Sequence, residues 1–283
     1  MTKFLLLLPF ITIIIIAGLI YSLSRTQIHN DLFFPTTTPT PAYITSAPTL
    51  LSPQPGSTII GPLVIKGYIP KSWTFEGQFR VKLLDDKKQL ILQDRVPVEW
   101  DNENTKDTLY FVESYNYHTT AKSGFLILEN DNPSGLPENQ KSMETPINFA
   151  TSPSGTVYLF YANIFEDSKI CDCVACQVVL PVARRLGISQ TPIRDTLELL
   201  LRGEITTEEK KAGFSSEFPH PGFSVKSLNL KNGILTIEFI DLNGFSGGGS
   251  CRTGWLAAQI TSTMKQFSDV KLVRYLPDSI FQP

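Results

Sequence analysis

The last third of the chain carries the pattern that most restricts how it can fold, because two helical stripes are interleaved with alternating runs. Thr191 can cap a helix over Thr191–Gly203 with Pro192 at its first position, where the missing N–H costs nothing. Ile193, Leu197, Leu200 and Leu201 form its apolar stripe, and Gly203 supplies the stop. Alternation returns at Ser224–Leu230, and Asn232-Gly233 is a hairpin turn into ILTIEFID. After a glycine-rich SGGGSCR loop, Leu256, Ile260, Met264 and Phe267 make a second stripe over Trp255–Phe267, and VKLVRYL (Val270–Leu276) reads as a strand. With the apolar run TVYLFYAN (Thr156–Asn163) as a central strand, the economical assembly is two helices on a small mixed sheet. Residues 154–280 are therefore expected to form an α/β domain.

Residues 50–150 have a different rhythm. PLVIKGYI (Pro62–Ile69), QFRVKLLD (Gln78–Asp85), QLILQDRV (Gln89–Val96), DTLYFVESYNY (Asp107–Tyr117) and SGFLILEN (Ser123–Asn130) carry β-branched and aromatic residues near period two. Turn formers such as Asp85-Asp86, Asp101-Asn102 and Asn132-Pro133-Ser134-Gly135 separate them. No segment sustains a helical period, so an all-β antiparallel sandwich is expected. It contains no cysteine to bridge its sheets.

The N-terminus adds topology. Phe4–Leu23 is about 20 almost wholly apolar residues, enough for a helix to cross a bilayer. Lys3 before it favours a cytoplasmic N-terminus. No A-x-A site follows, so residues 1–25 are read as a transmembrane anchor, with a cleaved signal peptide as the alternative. Either places the rest of the chain outside the cytoplasm, on a single-pass cell-membrane protein. Residues 26–49 are a Pro/Thr-rich linker of extended character. The net charge of −2 gives no field for nucleic acid, and no nucleic-acid partner is expected.

Both folded segments resemble known bacterial modules. The blocks YLFYAN, PVARRL, TLELLLRG, AGFSSEFP and QITSTMKQF are similar to the GerMN domain of sporulation and germination proteins. RGEITTEE stands where many relatives have Gly-Pro after the leucine-rich helix. The blocks LSPQPGSTIIGPLVIKGYI, WTFEGQF and LENDNPSG resemble the immunoglobulin-like domain often attached to such proteins. The resemblance implies an immunoglobulin-like sandwich followed by a GerMN-like fold akin to ring-building modules. It brings no established catalytic residues.

Several motifs invite chemistry. Gly244-Phe245-Ser246-Gly247-Gly248 fits G-x-S-x-G, but a hydrolase in that order needs a later histidine and the last one is His220. The same glycines could cradle a phosphate with Arg252, although a P-loop lysine is missing. No catalytic residue, cofactor or metal is therefore expected. Cys171, Cys173, Cys176 and Cys251 are even in number in an exported domain, which points to disulfides over a four-thiolate zinc site. The resemblance implies a Cys176–Cys251 pair, leaving Cys171 and Cys173 as a possible second pair. Trp73, Tyr115, Tyr117 and Trp255 are candidate glycan or partner contacts, although an aromatic beside a strand in a small sandwich, as Trp73 is, belongs first to the core.

These readings together predict a non-enzymatic, membrane-anchored extracytoplasmic scaffold that works through envelope proteins or self-assembly. The alternative is a module that binds peptidoglycan or another cell-wall glycan.

Overall fold

The computed structural model describes residues 47–99, 107–170 and 178–282. It is mostly β, built from several sheets with few helices. Among the described residues no helix is long and apolar enough to cross a membrane. The Phe4–Leu23 run and residues 26–46 of the expected linker lie outside them, and the last residue given to that linker, Thr49, already belongs to the first strand.

The first part contains β1 (Thr49–Ser52), β2 (Thr58–Ile60), β3 (Leu63–Pro70), β4 (Gln78–Asp85), β5 (Leu90–Pro97), β6 (Thr108–Tyr115), β7 (Ser123–Glu129) and β8 (Ser142–Ala150). Two sheets, ordered β1-β3-β6 and β2-β8-β7-β4-β5, share one core. Period-two patterning drives this. Phe79, Val81 and Leu83 of β4 are wholly buried beside Leu126 and Leu128 of β7 and Leu63 and Ile65 of β3. The sandwich is not purely antiparallel as expected. The chain leaves one sheet after β1 and joins the other as β2, which meets β8 in the same direction.

The second part contains β9 (Thr156–Asn163), α1 (Ile164–Asp167), β10 (Val179–Arg185), α2 (Pro192–Leu201), α3 (Thr207–Lys211), β11 (Phe214–Ser215), β12 (Phe223–Lys231), β13 (Ile234–Asp241), α4 (Ser250–Met264) and β14 (Leu272–Leu276). Its strands form two three-stranded sheets, β10-β9-β11 and β12-β13-β14, rather than the single small sheet expected. Both pack around one core that includes Leu197 and Leu200 of α2 and Leu256, Ile260 and Met264 of α4. Asn232 and Gly233 both have positive φ, 51° and 79°, and join β12 to β13 in a tight hairpin.

Side chains of α4 and its C-terminal turn replace the strand that β9 lacks on one edge. β11 meets β9 only at Ala162 and Asn163. Further along that edge, Phe160 N–H donates to Thr263 Oγ1 at 2.9 Å and Tyr158 N–H to Gln266 Oε1 at 2.9 Å. Gln266 Nε2 returns a bond to Tyr158 C=O at 2.8 Å. Buried Thr263 is thus explained by the backbone groups it satisfies.

All described residues belong to one compact unit, and the two parts meet along β6 and β10. Leu109 and Phe111 of β6 face the sandwich core, while Tyr110 and Val112 pack with Val178 and Leu180. That two-sided burial accounts for the unbroken apolar run in TLYFV, where a half-exposed strand would alternate.

Candidate functional site

Asp241, at the end of β13, gathers the glycine-rich loop. Phe245 N–H donates to Oδ1 at 2.8 Å, and Ser246 N–H and Oγ–H donate to Oδ2 at 2.9 and 2.7 Å. Burial pushes the Asp241 pKa up, but these donors outweigh it and hold the carboxyl below its usual range. A nucleophilic serine needs a base that takes its proton as it attacks. Ser246 is buried and donates instead to a carboxylate made a weaker base. The fold does bring in His220, which its place in the chain had seemed to exclude. Its ring stacks on Phe245 at 4.3 Å, and its Nδ1 is buried without a hydrogen-bond partner.

The phosphate reading loses its cation. Arg252 pairs with Glu217 at 2.6 Å, donates to the Phe245 carbonyl at 2.7 Å and to the Gly247 carbonyl, and lies over the Phe245 ring. A guanidinium so occupied clasps the loop rather than waiting for an anion.

The four aromatic candidates separate. Trp73 is 4% exposed in the sandwich core, so it is no sugar platform. Tyr115 is buried in the same core, where burial raises its pKa, and its hydroxyl has no partner. Trp255 is half-buried on α4 with its indole N–H buried and without a partner. Tyr117 packs against Phe149 at 5.5 Å and lines a cleft of about 910 Å³ between the two parts. Its pKa is pushed up to about 12 by burial and then by Tyr158 nearby.

Cys251 sits in the first turn of α4 and is disulfide-bonded. Cys171, Cys173 and Cys176 lie outside the described residues. Among the described residues no cluster of His, Cys, Asp or Glu is arranged for a metal ion.

Two features had no forecast in the sequence. The first is a polar clasp between the parts. Glu166 of α1 accepts from the Tyr110 hydroxyl of β6 and pairs with Lys169 at 3.1 Å and Lys66 at 3.5 Å. Burial raises the Glu166 pKa, but the bonds from Tyr110 and Lys169 and the Lys66 charge outweigh it, so the net shift is downward. The second is Arg184 of β10, which forks onto Glu209 at 2.6 and 2.7 Å while Glu209 closes a capping box with Thr206. Thr-x-x-Glu at Thr206–Glu209 is the signal that could have located α3.

The sheet β12-β13-β14 has one face turned away from the core. Residues alternate, so Leu235, Ile237 and Phe239 are buried while Ile234, Thr236, Glu238 and Ile240 point away from the core. Register sets Ile234 beside Leu272 and Thr236 beside Arg274. Leu272 is 54% exposed, and Leu242 beyond the strand is 77% exposed. Lys226 pairs with Glu238 at 2.8 Å across the same face. Among the described residues no strand pairs with the outer edge of β12 or of β14.

Residues 156–276 match the family model Germane, described as sporulation and spore germination. The match begins at the first residue of β9 and ends at the last of β14. No curated protein matches the chain. This segment is a Germane domain, and it points to a role related to sporulation or germination.

Proposed function

We propose that the chain is a non-enzymatic, membrane-anchored scaffold of the bacterial cell envelope, acting outside the cytoplasm through protein–protein contacts. On this reading the first part is an immunoglobulin-like sandwich that carries the Germane domain at a fixed angle. The observation that carries the proposal is the outward face of β12-β13-β14, with exposed Leu272 on the unpaired β14 edge and exposed Ile234 beside it on β13. Its occupant is an extended segment of another envelope protein, added as a strand to β14 with apolar side chains over Leu272. Strand addition takes affinity from main-chain bonds and selectivity from alternate side chains, which suits a short edge of this composition.

Other features support parts of the reading. The Germane match supports the sporulation or germination setting. The apolar Phe4–Leu23 run supports the anchor. Disulfide-bonded Cys251 fits an oxidising compartment, with Cys176 as the partner we propose and Cys171–Cys173 as the second pair. The Ser246–Asp241 bond supports a structural rather than nucleophilic serine.

Co-purification of the full chain from its native envelope tests the scaffold. Leu272→Glu in β14 is expected to lose the recovered protein partners while leaving the melting temperature within about 2 °C. Retention of the same partners would overturn the assignment of this face.

A further inference from the structure

The cleft between the two parts has walls that are fixed before any ligand arrives. The lining includes Tyr158 of β9, whose hydroxyl bonds Ser152 Oγ at 2.7 Å. Its ring is seated over Gly61, where φ is +83° and an added Cβ would lie 2.1 Å from the ring. Tyr117, also in the lining, is braced by Phe149, with ring centroids 5.5 Å apart. Rings held in this way lose little freedom on binding.

The lining chemistry is one-sided. Threonine and serine hydroxyls and the Asn116 side-chain amide surround the aromatic rings, the Gln266 amide being already bonded to the Tyr158 backbone, and none of the described lining residues is Asp or Glu. Lys122 and His118 line the cleft. Neither side chain makes an ion pair or hydrogen bond with another described residue.

Aromatic faces suit the C–H faces of sugar rings, hydroxyls and amides suit their hydroxyls, and an uncommitted ammonium suits a carboxylate. The volume of about 910 Å³ fits a disaccharide. We propose that this cleft binds a carboxylate-bearing saccharide. The site is separate from the β14 edge, so it stands or falls independently of the scaffold reading.

Isothermal titration of the full chain, in a detergent that carries no sugar, tests the proposal with two probes. One is the disaccharide of N-acetylglucosamine and N-acetylmuramic acid, which has a carboxylate. The other is neutral N,N′-diacetylchitobiose. The acidic probe is expected to bind at least about fivefold more tightly than the neutral one, in line with a charge-assisted hydrogen bond at a partly wet site. Lys122→Gln or His118→Gln should remove that preference while leaving N,N′-diacetylchitobiose affinity within about twofold. Both residues are exposed, and unchanged melting temperatures would confirm intact folding. Failure of the acidic probe to bind at 10 mM, about equal affinity for both probes, or a preference that survives both substitutions would overturn the proposal.

Discussion

Glu113 makes the folded chain less stable as the pH rises, and replacing it with glutamine should remove that loss. The residue lies on β6 with the same parity as Leu109, Phe111 and Tyr115, so it shares the strand face turned to the sandwich core. Burial lifts its pKa to about 7 from 4.5, with Asp94 adding to the rise and the Ser114 amide opposing it. A carboxyl whose folded pKa is raised is fully tolerated below its unfolded value and increasingly costly above it. Between pH 4.5 and 7 the unfolded chain releases this proton while the folded chain keeps it. Linkage over that interval gives about 3 kcal/mol, most of it spent by pH 7.

Glu113→Gln keeps the shape and the capacity to donate of the protonated acid, but it cannot ionise. Urea unfolding of both proteins at pH 4 and pH 8 isolates the effect, because every other carboxylate cancels in the difference. The variant should gain about 3 kcal/mol on wild type at pH 8 relative to their difference at pH 4. A difference that does not change with pH, or one that falls as pH rises, would refute the burial argument.

Three further outcomes follow from the described contacts. Tyr110→Phe keeps the ring between Tyr68 and Lys169 but removes the donor to Glu166, and should cost about 1–2 kcal/mol in denaturant unfolding at pH 7. Because the Glu166 pKa is lowered in the fold, that cost should be present above pH 4.5 and shrink as pH falls through the lower folded value. Gly61→Ala should destabilise by about 2–4 kcal/mol, since it adds a side chain at positive φ against the Tyr158 ring; a change under 0.5 kcal/mol in a thermal melt would contradict the packing. Trp73→Ala should cost about 3–5 kcal/mol in the same melt, as expected for a core tryptophan and not for a surface platform.

Much of the architecture was legible because burial on one side imposes a period. QFRVKLLD, TVYLFYAN and ILTIEFID coincide with β4, β9 and β13 residue for residue, and Asn232-Gly233 forms the hairpin it predicts. The stripe on α2 was equally clear. β10 shows in the sequence only as the PVARRL block, because Pro181 and two arginines obscure its alternation. Proline is tolerated there because β10 pairs with β9 alone and is an edge strand. α3 is too short for a stripe and announces itself only through its capping box.

The candidate sites were less legible, since they depend on residues far apart in sequence. Tyr110 and Glu166, Asn116 and the Ser262 carbonyl, or Gly61 and Tyr158 meet only when the two parts dock. His220 reaches Phe245 through the fold of the β12–β13 region, which a rule about chain order cannot anticipate. Trp73 is the exception, since an aromatic beside a strand in a small sandwich reads first as core and the fold buries it there.

The most direct test of the scaffold is site-specific photo-crosslinking of the full chain in its own envelope. One version carries the probe at Leu272 on β14, and a control carries it at Leu136, which is 49% exposed on the sandwich. Recurrent protein adducts from position 272 that are absent from position 136 are the predicted result. The same adducts from both positions, or none with protein from position 272, would contradict the account.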